Sequence, residues 1–266
     1  FEAMLADLES IVDASGHQRV VLLGVSQGCA ISVAYAVRHP ERVLGLILYG
    51  GYVKGWRARG NPAEIALREA MGTLMREGWG RDVPVFRQLF TSLFIPGASR
   101  EQMDWFNELQ RITVTPENAF RLAESFGNID VEHLLPRVAV PTLVIHARGD
   151  RVSPIESGKA FAAGIRGARF VELDSDNHIL LADEPAFAAF AANVTRFVQE
   201  VTEPRPARPA STRAKRPVSV LVAELVGPLE DEDILDPEVA ALALEPLTHL
   251  VSGVIERFQG VVGDAR

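Results

Sequence analysis

Along the chain, apolar positions switch between a helical period and short unbroken runs. Met4, Leu5, Leu8, Ile11 and Val12 recur at helical spacing over residues 2 to 14, and Ser15-Gly16 stops the pattern. Val20-Val21-Leu22-Leu23 follows without alternation, as in a strand buried on both faces, so residues 19 to 25 are expected to form a central parallel strand. Residues 29 to 37 fit a helix that ends at His39-Pro40, because proline disfavours helix in the residue before it. Residues 43 to 49 read as a second buried strand, closed by Gly50-Gly51. The alternation returns later: strand at 142 to 147, helix at 155 to 165, strand at 169 to 173. A helix at 186 to 201 follows, with Phe187, Phe190, Ala191, Val194, Phe197 and Val198 on one face. This order predicts an α/β fold, a mostly parallel sheet with helices on both faces. Residues 54 to 137 interrupt it with helical pattern, no clear strand and all the tryptophans, Trp56, Trp79 and Trp105, as an inserted helical cap would.

Composition sharpens this picture. The 266 residues and 47% hydrophobic content suffice for a large core, which excludes a disordered chain. A formal charge of -8 disfavours nucleic acid and anionic membrane surfaces as partners and favours a small-molecule substrate. The single cysteine, Cys29, forms no intrachain disulfide and suits a reducing compartment, so a cytoplasmic protein is expected. No segment reaches the roughly 18 uninterrupted apolar residues of a membrane span. From 202 to 217 the sequence turns to Pro, Arg, Ala and Ser, the composition of a linker. A new strand at 218 to 226 and a helix at about 237 to 258 follow.

The candidate chemistry lies at strand ends. Gly24-Val25-Ser26-Gln27-Gly28 matches the G-x-S-x-G nucleophile elbow, with a strand before and a helix after. A tight strand-to-helix turn requires small neighbours two residues either side of Ser26, hence glycine at both places. It would lift the Ser26 hydroxyl clear of the sheet and aim the Gln27 backbone N–H at a developing oxyanion. The competing role for Ser26 is a cap of the next helix. A serine needs a histidine base and a carboxylate to orient it, in the chain order serine, acid, histidine. Asp150 follows the strand that ends at Ala147, and His178 follows the next strand. Asp150 could instead cap the helix at 155, and Asp174 or Asp176 compete as the acid. Of the other histidines, His17, His39 and His249 read as surface or helix-end residues, His133 lies in the cap, and His146 suits a core role. No metal ligand set and no cofactor motif is read. In the cap, Phe86, Phe90 and Phe94 recur every fourth residue near Trp105 and Phe106, as cap core or as an apolar substrate wall. Arg57 and Arg59 could meet a carboxylate or simply face solvent.

With these motifs in order, residues 1 to 201 resemble the α/β-hydrolase family. The phrases His39-Pro40-Glu41-Arg42-Val43, Pro141 through Asp150, and Asn177-His178 through Asp183-Glu184-Pro185 support the likeness. The resemblance implies acyl transfer through an acyl-enzyme: Ser26 attacks, His178 shuttles the proton and Asp150 fixes its tautomer. Members of the family have about four strands before the elbow helix and a second oxyanion donor in a loop there. The chain is therefore expected to be an N-terminally truncated, weakly active hydrolase with an edge left on its elbow strand. Residues 218 to 227 resemble the opening strand of class III adenylate or guanylate cyclase domains, with Glu224 where that family has a metal-binding aspartate and Asp264 as an imperfect second. This likeness implies a signalling protein and a route to oligomers through residues 218 to 266, but no cyclase activity. The expected function is hydrolysis of a small apolar ester. The alternatives are a cofactor-free haloperoxidase or perhydrolase, and a non-catalytic sensor that regulates the cyclase-like neighbour.

Overall fold

The computed structural model describes residues 1–81, 83 and 85–203. The linker, the cyclase-like segment with Glu224 and Asp264, and His249 lie outside the described residues. Contacts divide the chain into two units, and the first, Phe1–Ala207, holds everything below.

Four strands form one parallel sheet in sequence order: β1 (Val20–Val25), β2 (Val43–Tyr49), β3 (Thr142–Ala147) and β4 (Arg169–Leu173). Helices α1 (Glu2–Ala14), α2 (Gly28–Arg38), α7 (Ile155–Gly164) and α8 (Pro185–Thr202) flank it. The unbroken apolar runs follow from double coverage. Successive side chains of a strand point to opposite faces. Leu46, Leu48 and Val144 meet Leu5, Val33 and Phe161 of α1, α2 and α7. Ile47, Tyr49, Leu143 and Ile145 meet Ala186 and Phe197 of α8. α8 packs so closely on β2 that a Cβ on Gly45 would lie 2.9 Å from the Phe197 ring.

The position of β1 differs from the central place that its apolar run suggests and matches the edge expected of the elbow strand. It pairs with β2 alone and forms one edge of the described sheet, with Leu23 47% and Val25 42% exposed. An apolar run reports what a strand can bury, not which neighbours it has.

Between β2 and β3 rise the cap helices α3 (Pro62–Gly78), α4 (Val85–Phe94), α5 (Arg100–Thr113) and α6 (Pro116–Gly127). Polar caps define their starts: Asn61 accepts from the N–H groups of Ala63 and Glu64, and Ser99 forms a reciprocal capping box with Gln102. Met75, Trp79, Phe90 and Ala119 make the cap its own small core. The segment after α6 behaves differently. Ile129, Val131 and Leu135 are buried in the main core, so the end of the expected 54 to 137 insertion packs with the sheet domain. Among the described residues, no helix is long and apolar enough to cross a membrane.

Candidate active site

Ser26 sits where β1 turns into α2, and its backbone adopts φ 54°, the only positive φ at a non-glycine among the described residues. L residues enter this region at a cost, so the surrounding turn must enforce it. Ser26 N–H donates to Tyr49 O at 2.9 Å, and Cys29 N–H donates to Ser26 O at 3.1 Å. Gly24 is required by space: a Cβ there would stand 2.7 Å from both Cys29 Cα and Gly28 O. Gly28 is not, because a Cβ there meets nothing within 4 Å. The expectation that both glycines serve close backbone approach therefore holds for Gly24 and fails for Gly28. Gln27 is the first cap residue of α2. Its N–H joins no hydrogen bond of the described residues and stands at the positive end of the helix.

Asp150 and His178 come from the ends of β3 and β4 and meet over the sheet edge. His178 Nδ1 lies 2.6 Å from Asp150 Oδ2, both side chains buried. The other carboxylate oxygen, Oδ1, accepts from the N–H groups of Val152 at 2.8 Å and Ser153 at 2.9 Å. Three nitrogens thus surround the carboxylate and fix its orientation. His178 Nε2 points the other way, is buried and has no hydrogen-bond partner. It and Ser26 line the same cavity, about 480 Å³ in volume, under the cap. The competing acids are elsewhere: Asp174 is exposed and approaches Arg148 at 3.5 Å, and Asp176 packs against Gly149.

The second histidine of β3 is a core residue. His146 Nε2 lies 2.7 Å from Ser153 O and 3.7 Å from Asp150 Oδ2, and burial lowers its pKa from the ordinary value. His39 pairs with Glu9 at the surface. Cys29 lies behind the elbow, where its Sγ donates to Gly24 O at 3.2 Å and burial pushes its thiol pKa up. A group of this kind is inert as a nucleophile.

Several supporting residues carried no sequence signal of their role. Gly50, at φ 60°, lies against the triad, and a Cβ there would approach His178 Cε1 to 3.3 Å. Phe94 O accepts from the N–H groups of His178 and Ile179, and the Phe94 ring stands edge-on to the imidazole at 5.3 Å. Glu184 gathers the histidine loop, accepting from Leu181 N–H at 2.6 Å, Ser175 Oγ at 2.7 Å and Asn177 Nδ2 at 3.2 Å. Its adjacency to Pro185 at a helix start was visible; its three partners within the loop were not.

The cap supplies the cavity walls. Phe90 and Phe94 line it with Trp56, Trp79, Met71 and Met75, whereas Phe86, Trp105 and Phe106 do not. Arg57 is held by Glu69 and Glu124, and Arg59 by Glu64, so neither is free to meet a substrate. Among the described residues, no group of three or more His, Cys, Asp or Glu is placed to hold a metal ion.

Comparison with known proteins agrees with this architecture. The family model described as alpha/beta hydrolase fold matches residues 1–185. The chain is similar to a pimeloyl-[acyl-carrier protein] methyl ester esterase of Neisseria meningitidis, 27% identical over 190 residues, covering 69% of this chain and 73% of that protein. It is also similar to a 2-hydroxy-6-oxononadienedioate/2-hydroxy-6-oxononatrienedioate hydrolase of Paraburkholderia phymatum, 28% identical over 171 residues; the match covers 61% of this chain and 57% of the relative. Among solved structures, an esterase from Exiguobacterium antarcticum superposes with a TM-score of 0.62 at 22% identity, covering 74% of this chain and 72% of that one. A bromoperoxidase from Bacillus anthracis superposes with a TM-score of 0.63 at 21% identity, covering 75% and 74%.

Proposed function

The chain belongs to the alpha/beta hydrolase fold family of enzymes, and from that premise we propose that it is a serine esterase that uses Ser26, His178 and Asp150. One juxtaposition carries the reading: a serine held at positive φ shares a cavity with a histidine whose Nδ1 is bonded to a buried carboxylate and whose Nε2 is uncommitted. In this reading Ser26 Oγ attacks the ester carbonyl and His178 Nε2 takes its proton. The imidazolium forms with its Nδ1–H donating to Asp150, and the Gln27 N–H faces the oxyanion. The proton then passes from Nε2 to the departing alcohol, leaving an acyl group on Ser26. Water, deprotonated by His178, releases the acid and restores the serine. Ser26 and His178 share no hydrogen bond in the unliganded cavity, and this reading requires one to form when substrate fills it, as catalytic hydrogen bonds commonly do.

The cavity volume and its Trp, Phe and Met walls favour a small, largely apolar acyl group. The names of the relatives, an esterase and a hydrolase, support hydrolysis, and the esterase among them supports an ester as substrate. A place in a signalling protein rests only on the cyclase-like likeness of residues 218 to 266.

The test is reaction of the full chain with a fluorophosphonate probe together with hydrolysis of short p-nitrophenyl esters. Labelling and turnover that both vanish in Ser26→Ala are expected. Turnover that survives this change would reject Ser26 as the nucleophile.

A further inference from the structure

One charged group in the cavity plays no part in the triad. Arg68, on α3, lines the cavity together with Ser26 and His178, among Met71, Met75, Trp79, Phe90 and Leu122. Its Nη2 donates to Val152 O at 3.2 Å, which sets the guanidinium beside the loop that carries Asp150. That is one of five donors, and an arginine keeps its charge.

The remaining charges at this wall are already matched. Glu124 is held by Arg57 at 2.8 Å, and both guanidinium nitrogens that face Glu64 belong to Arg59. Arg68 enters no ion pair among the described residues, and its proton affinity is lowered first by burial, with Glu64 only partly offsetting it. Arg59 thus takes the carboxylate nearest to Arg68, and the Arg68 guanidinium has no ion-pair partner of its own among the described residues at a largely apolar cavity wall. Such a charge is costly unless an anion meets it.

We propose that Arg68 is the specificity-determining anchor for a free carboxylate, so that the substrate is the monoester of a dicarboxylic acid. The inference rests on the serine-esterase reading and adds the substrate class to it. The carboxylate accepts from the guanidinium fork while the ester at the other end lies at Ser26. Hydrolysis adds one water across the ester: the C–O bond to the alcohol breaks, the alcohol leaves with a proton, and a second carboxylate forms at the Ser26 end. The first carboxylate stays on Arg68 throughout.

The experiment compares p-nitrophenyl hydrogen adipate and suberate with their neutral p-nitrophenyl methyl counterparts, using the full chain, with fluorophosphonate labelling to count active sites. The anionic esters are expected to be preferred about tenfold or more in kcat/KM, chiefly through KM. This ratio is expected to fall towards one in Arg68→Gln and to be partly kept in Arg68→Lys. If Arg68→Gln fails to label, the ratio of the unmodified protein decides alone. A protein that labels at Ser26 and cleaves both classes without preference overturns the anchor and leaves the esterase reading intact, as does an unchanged ratio in a labelling-competent Arg68→Gln. No labelling and no cleavage of either class overturns both.

Discussion

Ser26 holds a backbone conformation that its side chain opposes, and the turn between β1 and α2 enforces it. Removing the Cβ removes the conflict, so Ser26→Gly is expected to exceed Ser26→Ala in stability by about 1 kcal/mol, read from urea midpoints. The flanking glycines should separate sharply. Gly24→Ala drives a methyl into the backbone of Gly28 and Cys29 and should cost about 3 kcal/mol, whereas Gly28→Ala meets open space at a helix start and should be neutral or slightly stabilising. His146 gives the site a pH signature. Its Nε2 donates to Ser153 O, its Nδ1 is buried without a partner, and burial holds its pKa below the ordinary histidine value. The unfolded chain therefore binds this proton at a higher pH than the folded one, and stability falls as pH drops below about 6.5. Urea midpoints measured from about pH 7 to pH 5 should decline less steeply in His146→Asn than in the unmodified protein. Ser26, Asp150 and His178 were legible in the sequence as candidates because each follows a strand and the order of the three is constrained. The roles of Gly50 and Phe94 were not, since both depend on atoms far away in the chain.

The loop between β4 and α8 shows how an element holds a reacting group. His178 is tied at its backbone to Phe94 of the cap, and Glu184 cross-links Ser175, Asn177 and Leu181 on either side of it. Asn177 also accepts from Gly97 N–H at 2.9 Å, a second tie to the cap. Glu184→Ala leaves these donors without their acceptor and lets the imidazole drift. We expect kcat to fall about 100-fold with KM little changed, and Ser26 phosphonylation to slow in parallel. Equal slowing without Ser26 involvement would argue against a positioning role. Most elements were legible, because unbroken apolar runs and a period of 3.6 residues report burial directly. The apolar run of β1 did not show its place at the sheet edge, because pairing partners leave no mark on a strand that is apolar throughout; only the family resemblance led to that expectation.

At the scale of the molecule, β1 pairs with β2 alone among the described residues, and with Leu23 and Val25 exposed its outer side is a template for pairing with another strand. A charge there should suppress it: Leu23→Lys is expected to lower light scattering of concentrated solutions relative to the unmodified full chain, with no shift in the far-ultraviolet circular dichroism. The net charge of -8 gives only diffuse protection, screened within about 8 Å at physiological salt. The sheet domain and the cap also divide the work. The sheet edge carries the triad, and the cap closes the cavity and brings Arg68 to it.

The amino-acid order by itself determined the alternation of strands and helices, the insertion between β2 and β3, and the serine, aspartate and histidine at strand ends, since all of these are local patterns of burial and turn chemistry. Only the tertiary structure decided which of the cap's aromatics face the cavity, which arginines pair with neighbouring carboxylates, and that Arg68 lines the cavity. Ion pairing and cavity walls are made by residues distant in sequence, and no local period encodes them.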